Sequence, residues 1–116
     1  MSVKSKYVFI VSMDVAPEKE ALFNEVYDQE HVPNLLKVPG VRSVTRLRTE
    51  AASFMIGGAL KPVTGEGAPT YTAIYEIDSP EVLRIAAWAE AVERGRWPTE
   101  VRPFTFNRRH VVRKVL

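Results

Sequence analysis

Cysteine is absent from the 116 residues, and histidine occurs twice. The first absence removes disulfides, thiolate metal sites and cysteine nucleophiles, and it fits a cytoplasmic protein. The second leaves little to hold a metal. His31 and His110 are far apart in the chain, with no H-x-x-x-H or H-E-x-x-H spacing, so no metal site is expected. No apolar run approaches the roughly 18 residues of a membrane helix, so no membrane partner is expected. The short N-terminal apolar run meets acidic residues without an A-x-A-like cleavage site, and it reads as a strand rather than a signal peptide. The glycines at 57, 58, 65 and 67 lack the Lys-Ser/Thr ending of a P-loop, and no nucleophile elbow occurs. Strong charge imbalance is missing as well, with 16 Lys+Arg against 14 Asp+Glu. The basic clusters, Arg42/Arg46/Arg48 and Arg108/Arg109/Arg113/Lys114, read as solvated strand faces or ion-pair partners, and no nucleic acid is expected to bind.

What is present is 46% hydrophobic sequence, enough for a single domain over residues 1–116 with one core. Residues 7–13, YVFIVSM, are β-branched and aromatic on both faces and predict a strand. Pro17 with Glu18 and Glu20 opens a helix, and Leu22, Phe23, Val26 and Tyr27 form its buried stripe. Pro33 should end or kink that helix near His31, leaving Leu35 and Leu36 in a short irregular turn before Pro39-Gly40. Residues 41–50 alternate as a strand, with Arg42, Val44, Arg46 and Arg48 on one face. Residues 51–69 hold four glycines and two prolines, and read as a hairpin around Gly57-Gly58 or as a lid. Residues 70–78 form a third strand. Ser79-Pro80 starts a second helix that Gly95 ends, residues 97–103 connect irregularly, and residues 104–116 form the last strand.

The order is βαββαβ, the ferredoxin-like α+β plan: a four-stranded antiparallel sheet with both helices on one face. The other face lacks a cover within one chain. Val8, Ile10, Val44 and Ile74 are placed there, and such an apolar face predicts a homodimer packed sheet to sheet.

Residues 27–41, YDQEHVPNLLKVPGV, lead into an arginine-bearing strand. In this they resemble the dimeric α/β-barrel superfamily, and most of all its EthD-like branch, where a Glu-His-x-Pro-like helix end precedes Pro-Gly and a strand. The resemblance implies a small cofactor-independent enzyme of cyclase, isomerase or monooxygenase type, acting on an apolar or aromatic small molecule between helices and sheet. It equally admits a non-catalytic binder or accessory protein of a catabolic pathway. The superfamily also includes haem-binding members, but no cofactor is expected here.

His31 matches the branch's motif. Tyr27, four residues earlier, shares its helix face. The helix dipole and Glu30 should favour protonated His31, suiting a proton donor, while the structural alternative is that His31 caps the helix carbonyls. Tyr71, Tyr75, Trp88 and Arg46 are selected as substrate contacts by strand and helix position. For the tyrosines the competing reading is aromatic core. For Trp88 it is core or cleft wall. For Arg46 the preferred alternative is an ion pair across the dimer. His110 reads as a surface or interface residue.

Overall fold

A computed structural model describes residues 3–116. The chain runs β1 (Tyr7–Val15), α1 (Glu20–Val26), α2 (Val32–Leu36), β2 (Val41–Arg48), β3 (Ala52–Ile56), β4 (Ala59–Val63), β5 (Tyr71–Ile77), α3 (Ala86–Ala91) and β6 (Thr105–Lys114). Strands β2, β5, β1 and β6 form one antiparallel sheet in that spatial order, and β3 and β4 pair with each other as a separate hairpin. Without the hairpin, the plan is ferredoxin-like βαββαβ. No helix among the described residues is long and apolar enough to cross a membrane.

The alternation of β1 and β5 decides what each sheet face meets. Val11, Met13, Tyr71, Ala73, Tyr75 and Ile77 turn under the helices and join Phe23, Val26, Leu35 and Val101 in the core. Ile10 stands on the opposite face, flanked across the ladders by Ile74 and Val111. Val44 was expected there too, but it lies opposite Tyr75 and packs on the helix side. The cause is a bulge between Val41 and Ser43. One extra residue, Arg42, resets the alternation, so Val41 and Val44 face the same way.

The first helix does not stop at His31. Pro33 lacks an N–H, and its ring would clash with a carbonyl one turn earlier. A π-helical turn, Tyr27–His31, widens the backbone there, with Val32 N–H donating to the Tyr27 carbonyl. The chain then continues as α2, so Leu35 and Leu36 are helical, and Leu35 is core. The second helical region is broken instead of continuous. Pro80–Arg84 is a 3-10 turn, Ile85 is extended, and α3 ends at Ala91, before Gly95. The Ser79 side chain makes no cap. The 3-10 turn seats Val82 in the space left by Gly40, whose φ is +93° and whose carbonyl accepts from Asp78 N–H at 3.0 Å. Residues Trp97–Val101 are π-helical and Arg102–Phe104 are 3-10, where an irregular connection was expected. Within 51–69 the chain forms the hairpin around Gly57-Gly58. Gly57 and Gly58, at φ +60° and +78°, supply the two left-handed residues of a tight turn between Ile56 and Ala59.

A Cβ on Gly40 would collide with Val82 Cγ2, whereas one on Gly58 would meet open space. Gly40→Ala is therefore expected to lower unfolding stability by about 2–3 kcal/mol, and Gly58→Ala by only about 1–2 kcal/mol from backbone strain. Chemical denaturation measures both. Equal losses would show that the Val82 contact contributes nothing.

Candidate functional site

The two π-helical turns face each other and carry Tyr27, His31 and Trp97. A π turn advances more slowly around its axis than an α turn and re-aims the residues on it. It brings Tyr27 and His31 to one wall, both buried. The His31 imidazole stacks on Trp97, ring centroids 4.3 Å apart and 21° between planes. Tyr27 meets both edge-on, at 5.0 Å and 5.1 Å. Glu30, one residue before His31, turns outward. It accepts from Arg96 N–H at 2.9 Å and from Arg96 Nε at 2.6 Å, pinning the segment that delivers Trp97. From the sheet, Tyr75 reaches up so that its Oη lies 2.9 Å from Tyr27 Oη.

Between these walls and β6 lies a cavity of about 190 Å³. Phe9, Leu35, Trp88 and Val92 make it apolar, and Arg102, Arg108 and His110 stand among its lining residues. A cavity of about 150 Å³ holds a benzene ring, so this one suits a molecule of one or two small rings.

His31 is 5% exposed, and its Nδ1 is buried without a hydrogen-bond partner, alone in this among the described side-chain atoms. Buried polar side-chain atoms are usually hydrogen-bonded, so this one sets His31 apart from the rest of the core. Burial, reinforced by the Arg102 guanidinium, depresses the imidazole pKa to about 4. The expectation that the dipole and Glu30 keep it protonated fails for two reasons. The helix continues past His31, so no free carbonyl end lies there, and Glu30 is engaged by Arg96. The imidazole is neutral at pH 7. Burial also raises the pKa of Tyr27 and pushes Tyr75 well above the usual phenol value, so both stay protonated.

Of the six residues selected from the sequence, Tyr27, His31, Tyr75 and Trp88 line this cavity. Tyr71 does not. Its hydroxyl donates to Glu20 Oε2 at 2.6 Å and accepts from Asn24 Nδ2 at 3.2 Å, tying helix to sheet. Arg46 lies behind Tyr27, 4.6 Å over its ring, and binds Asp28 and Asn24 at 2.8 Å each. Its ion pair is within its own chain, where one across a dimer was preferred. His110 is a cavity-lining residue stacked 6.0 Å from Phe9, and not merely a surface one. Burial, with Arg108 nearby, lowers its pKa. Sequence reading missed Trp97, Arg102 and Arg108. A signal for Trp97 existed: Gly95, at φ +66°, followed by Pro98 early in the next turn, is a stop-and-restart of helix.

The buried neutral His31 ties stability to pH. Between about pH 6.5 and 4 the unfolded chain binds this proton and the folded chain does not. Stability is therefore lost as pH falls through that window, by about 3 kcal/mol at most from this group. His31→Gln should flatten the slope of unfolding free energy against pH between 6.5 and 4. An unchanged slope would place the titration elsewhere.

No family model matches the chain, and no curated protein matches it. Solved structures do. An ethyl tert-butyl ether degradation (EthD) family protein from Bacillus halodurans superposes with a TM-score of 0.57 at 16% identity, covering 95% of this chain and 99% of that one. SnoaB, a cofactor-independent oxygenase from Streptomyces nogalater, gives 0.60 at 15% identity, covering 94% and 91%. The haem degrader MhuD from Mycobacterium tuberculosis, with two haems in its active site, gives 0.60 at 14% identity, covering 95% of each chain. Haem does not fit the cavity described here. About 190 Å³ is far below what a porphyrin fills, and His31 lies flat against Trp97 with its Nδ1 buried. The shared element order and sheet give this chain the ferredoxin-like fold that these structures also have.

Proposed function

We propose that the protein is a small cofactor-independent enzyme that removes a proton from an apolar or aromatic small molecule held in the His31 cavity. The observation that carries this is a neutral, buried imidazole in the cavity wall beside a pair of protonated phenols. A neutral imidazole has one nitrogen free to accept a proton. As a proton moves from a ligand C–H or O–H to the imidazole nitrogen at the cavity wall, negative charge develops on the ligand oxygen. In the Tyr27–Tyr75 pair one hydroxyl donates to the other, and the remaining O–H is free to point at that oxygen. Imidazolium and oxyanion then stabilise each other in a water-poor cavity, which offsets the low intrinsic basicity of His31. Cyclisation, isomerisation and monooxygenation of an enolisable or phenolic compound each begin with such a step.

A non-catalytic binder is the second reading. The close stacking of His31 on Trp97 favours it, because it fixes the ring as packing. In either case the chain is proposed to act as a homodimer through the open sheet face. Its centre, Ile10, Ile74 and Val111, is aliphatic, which suits packing against a second copy.

The test uses a chromogenic phenol, 4-nitrophenol, whose absorption distinguishes phenol from phenolate. Bound to the wild type, it should ionise at lower pH than in water, and His31→Gln should abolish that shift while its melting temperature at pH 7 stays close to wild type. With a true substrate, the same variant should lose on the order of 10²-fold or more in turnover. Binding without any shift in ionisation supports the binder. A variant that melts early yet behaves as wild type towards the ligand would make His31 purely structural.

A further inference from the structure

Every residue of β3 and β4 is exposed. Phe54, Met55, Ile56, Leu60 and Val63 lie between 43% and 66% accessible, so the hairpin is apolar and uncovered. The pairing places Phe54, Ile56 and Val63 on one side of the ribbon and Met55 and Leu60 on the other, so both sides are apolar. A lone two-stranded ribbon is marginal in water. Only its root is fastened: Thr49 N–H donates to the Thr70 carbonyl and Thr49 Oγ1 to the Pro69 carbonyl, each at 2.8 Å. The hairpin stands off the body. The radius of gyration is 15.8 Å, against about 13 Å for a compact chain of this length.

We infer that this hairpin is an arm that grips a second copy of the chain, completing the sheet-face dimer proposed above, on which the inference rests. Area is the first argument. Four strands about 4.8 Å apart and on average between eight and nine residues long present a face of roughly 540 Å². A stable interface needs about 800 Å² per partner, so the sheet face alone falls short. The two sides of the arm add roughly 320 Å², which brings the total close to that requirement.

Continuity is the second argument. Leu47 and Phe106 lie on the open sheet face, are 45% and 54% exposed, and extend its apolar surface towards the end where the arm begins. A two-fold operator covers arm and face of both chains at once, because the same patch serves each. Chemistry is the third. Residues 51–63 carry one charge, Lys61, so nothing in the arm selects a charged partner. Lys61 and Pro62 sit together on β4, where charge and a missing N–H discourage strand addition. The arm therefore docks by its sides, closing a dimer and not growing a fibre.

The experiment is sedimentation equilibrium on the full chain and three variants. In one, residues 51–68 are replaced by a short Gly-Asn turn. The second, Met55→Ser with Leu60→Ser, keeps the hairpin and removes one apolar side. The third is Ile10→Glu on the sheet face. Wild type should be a dimer, both arm variants should dissociate at least about 10-fold more readily, and Ile10→Glu should be monomeric. Arm variants that dimerise as tightly as wild type overturn the arm and leave the sheet-face dimer standing. A wild type monomeric at micromolar concentration overturns both. Should the shortened chain misfold, amide exchange on wild type decides: arm amides must gain protection as concentration crosses the dimerisation range, and unprotected amides in the dimer refute the arm.

Discussion

The stack of His31 on Trp97 is the contact on which the site depends. It joins two π-helical turns that belong to different halves of the chain, and neither turn would have reason to hold its shape alone. Tyr27 wedges against both rings and passes the contact to Tyr75 on the sheet. The Glu30–Arg96 pair holds the second turn in register from outside, close against Gly95, where a Cβ would meet the Glu30 carboxylate. Burial of the imidazole, its lowered pKa and its orphan nitrogen all follow from that stack. An apolar wall removes water, and removing water disfavours the charged form.

Charge is arranged around this neutral interior rather than in it. Arg46 caps the far side of Tyr27 and is consumed by Asp28 and Asn24. Arg102 stands at the cavity but is held by both oxygens of Glu93, at 2.6 and 2.8 Å. Arg108 and His110, on the edge strand β6, line the cavity from the sheet side. An uncharged interior with cations at its border suits a molecule that enters neutral and acquires negative charge only once bound.

Much of the fold was legible because it rests on periodicity. The doubly apolar β1, the stripe Leu22/Phe23/Val26/Tyr27 and the Gly57-Gly58 turn each carry a local signal with a single physical meaning. What escaped was set by tertiary context. A bulge at Arg42 moved Val44 to the helix side, and no residue type announces a bulge. Pro33 was read as ending or kinking the helix near His31, and a widened turn there carries the helix through. Glu30 was assigned to His31 on adjacency, although neighbours in a helix point apart, and its true partner, Arg96, is distant in sequence. The cavity paired Tyr27 and His31 as their spacing suggested. Trp97 and Arg102 came from a connection whose sequence gave no period to read, and Arg108 from a strand whose arginines read as a solvated face.

The central claim is that His31 is a neutral imidazole buried at the wall of a ligand cavity. The most direct measurement is an NMR titration of its ring carbon and nitrogen resonances in the folded protein, with His31→Gln assigning the signal. The account predicts a neutral ring throughout the physiological range and a midpoint of about 4. A His31 midpoint near the ordinary histidine value or above it would contradict the account, because it would mean that the ring is wet or paired and that no neutral buried base stands at the cavity wall.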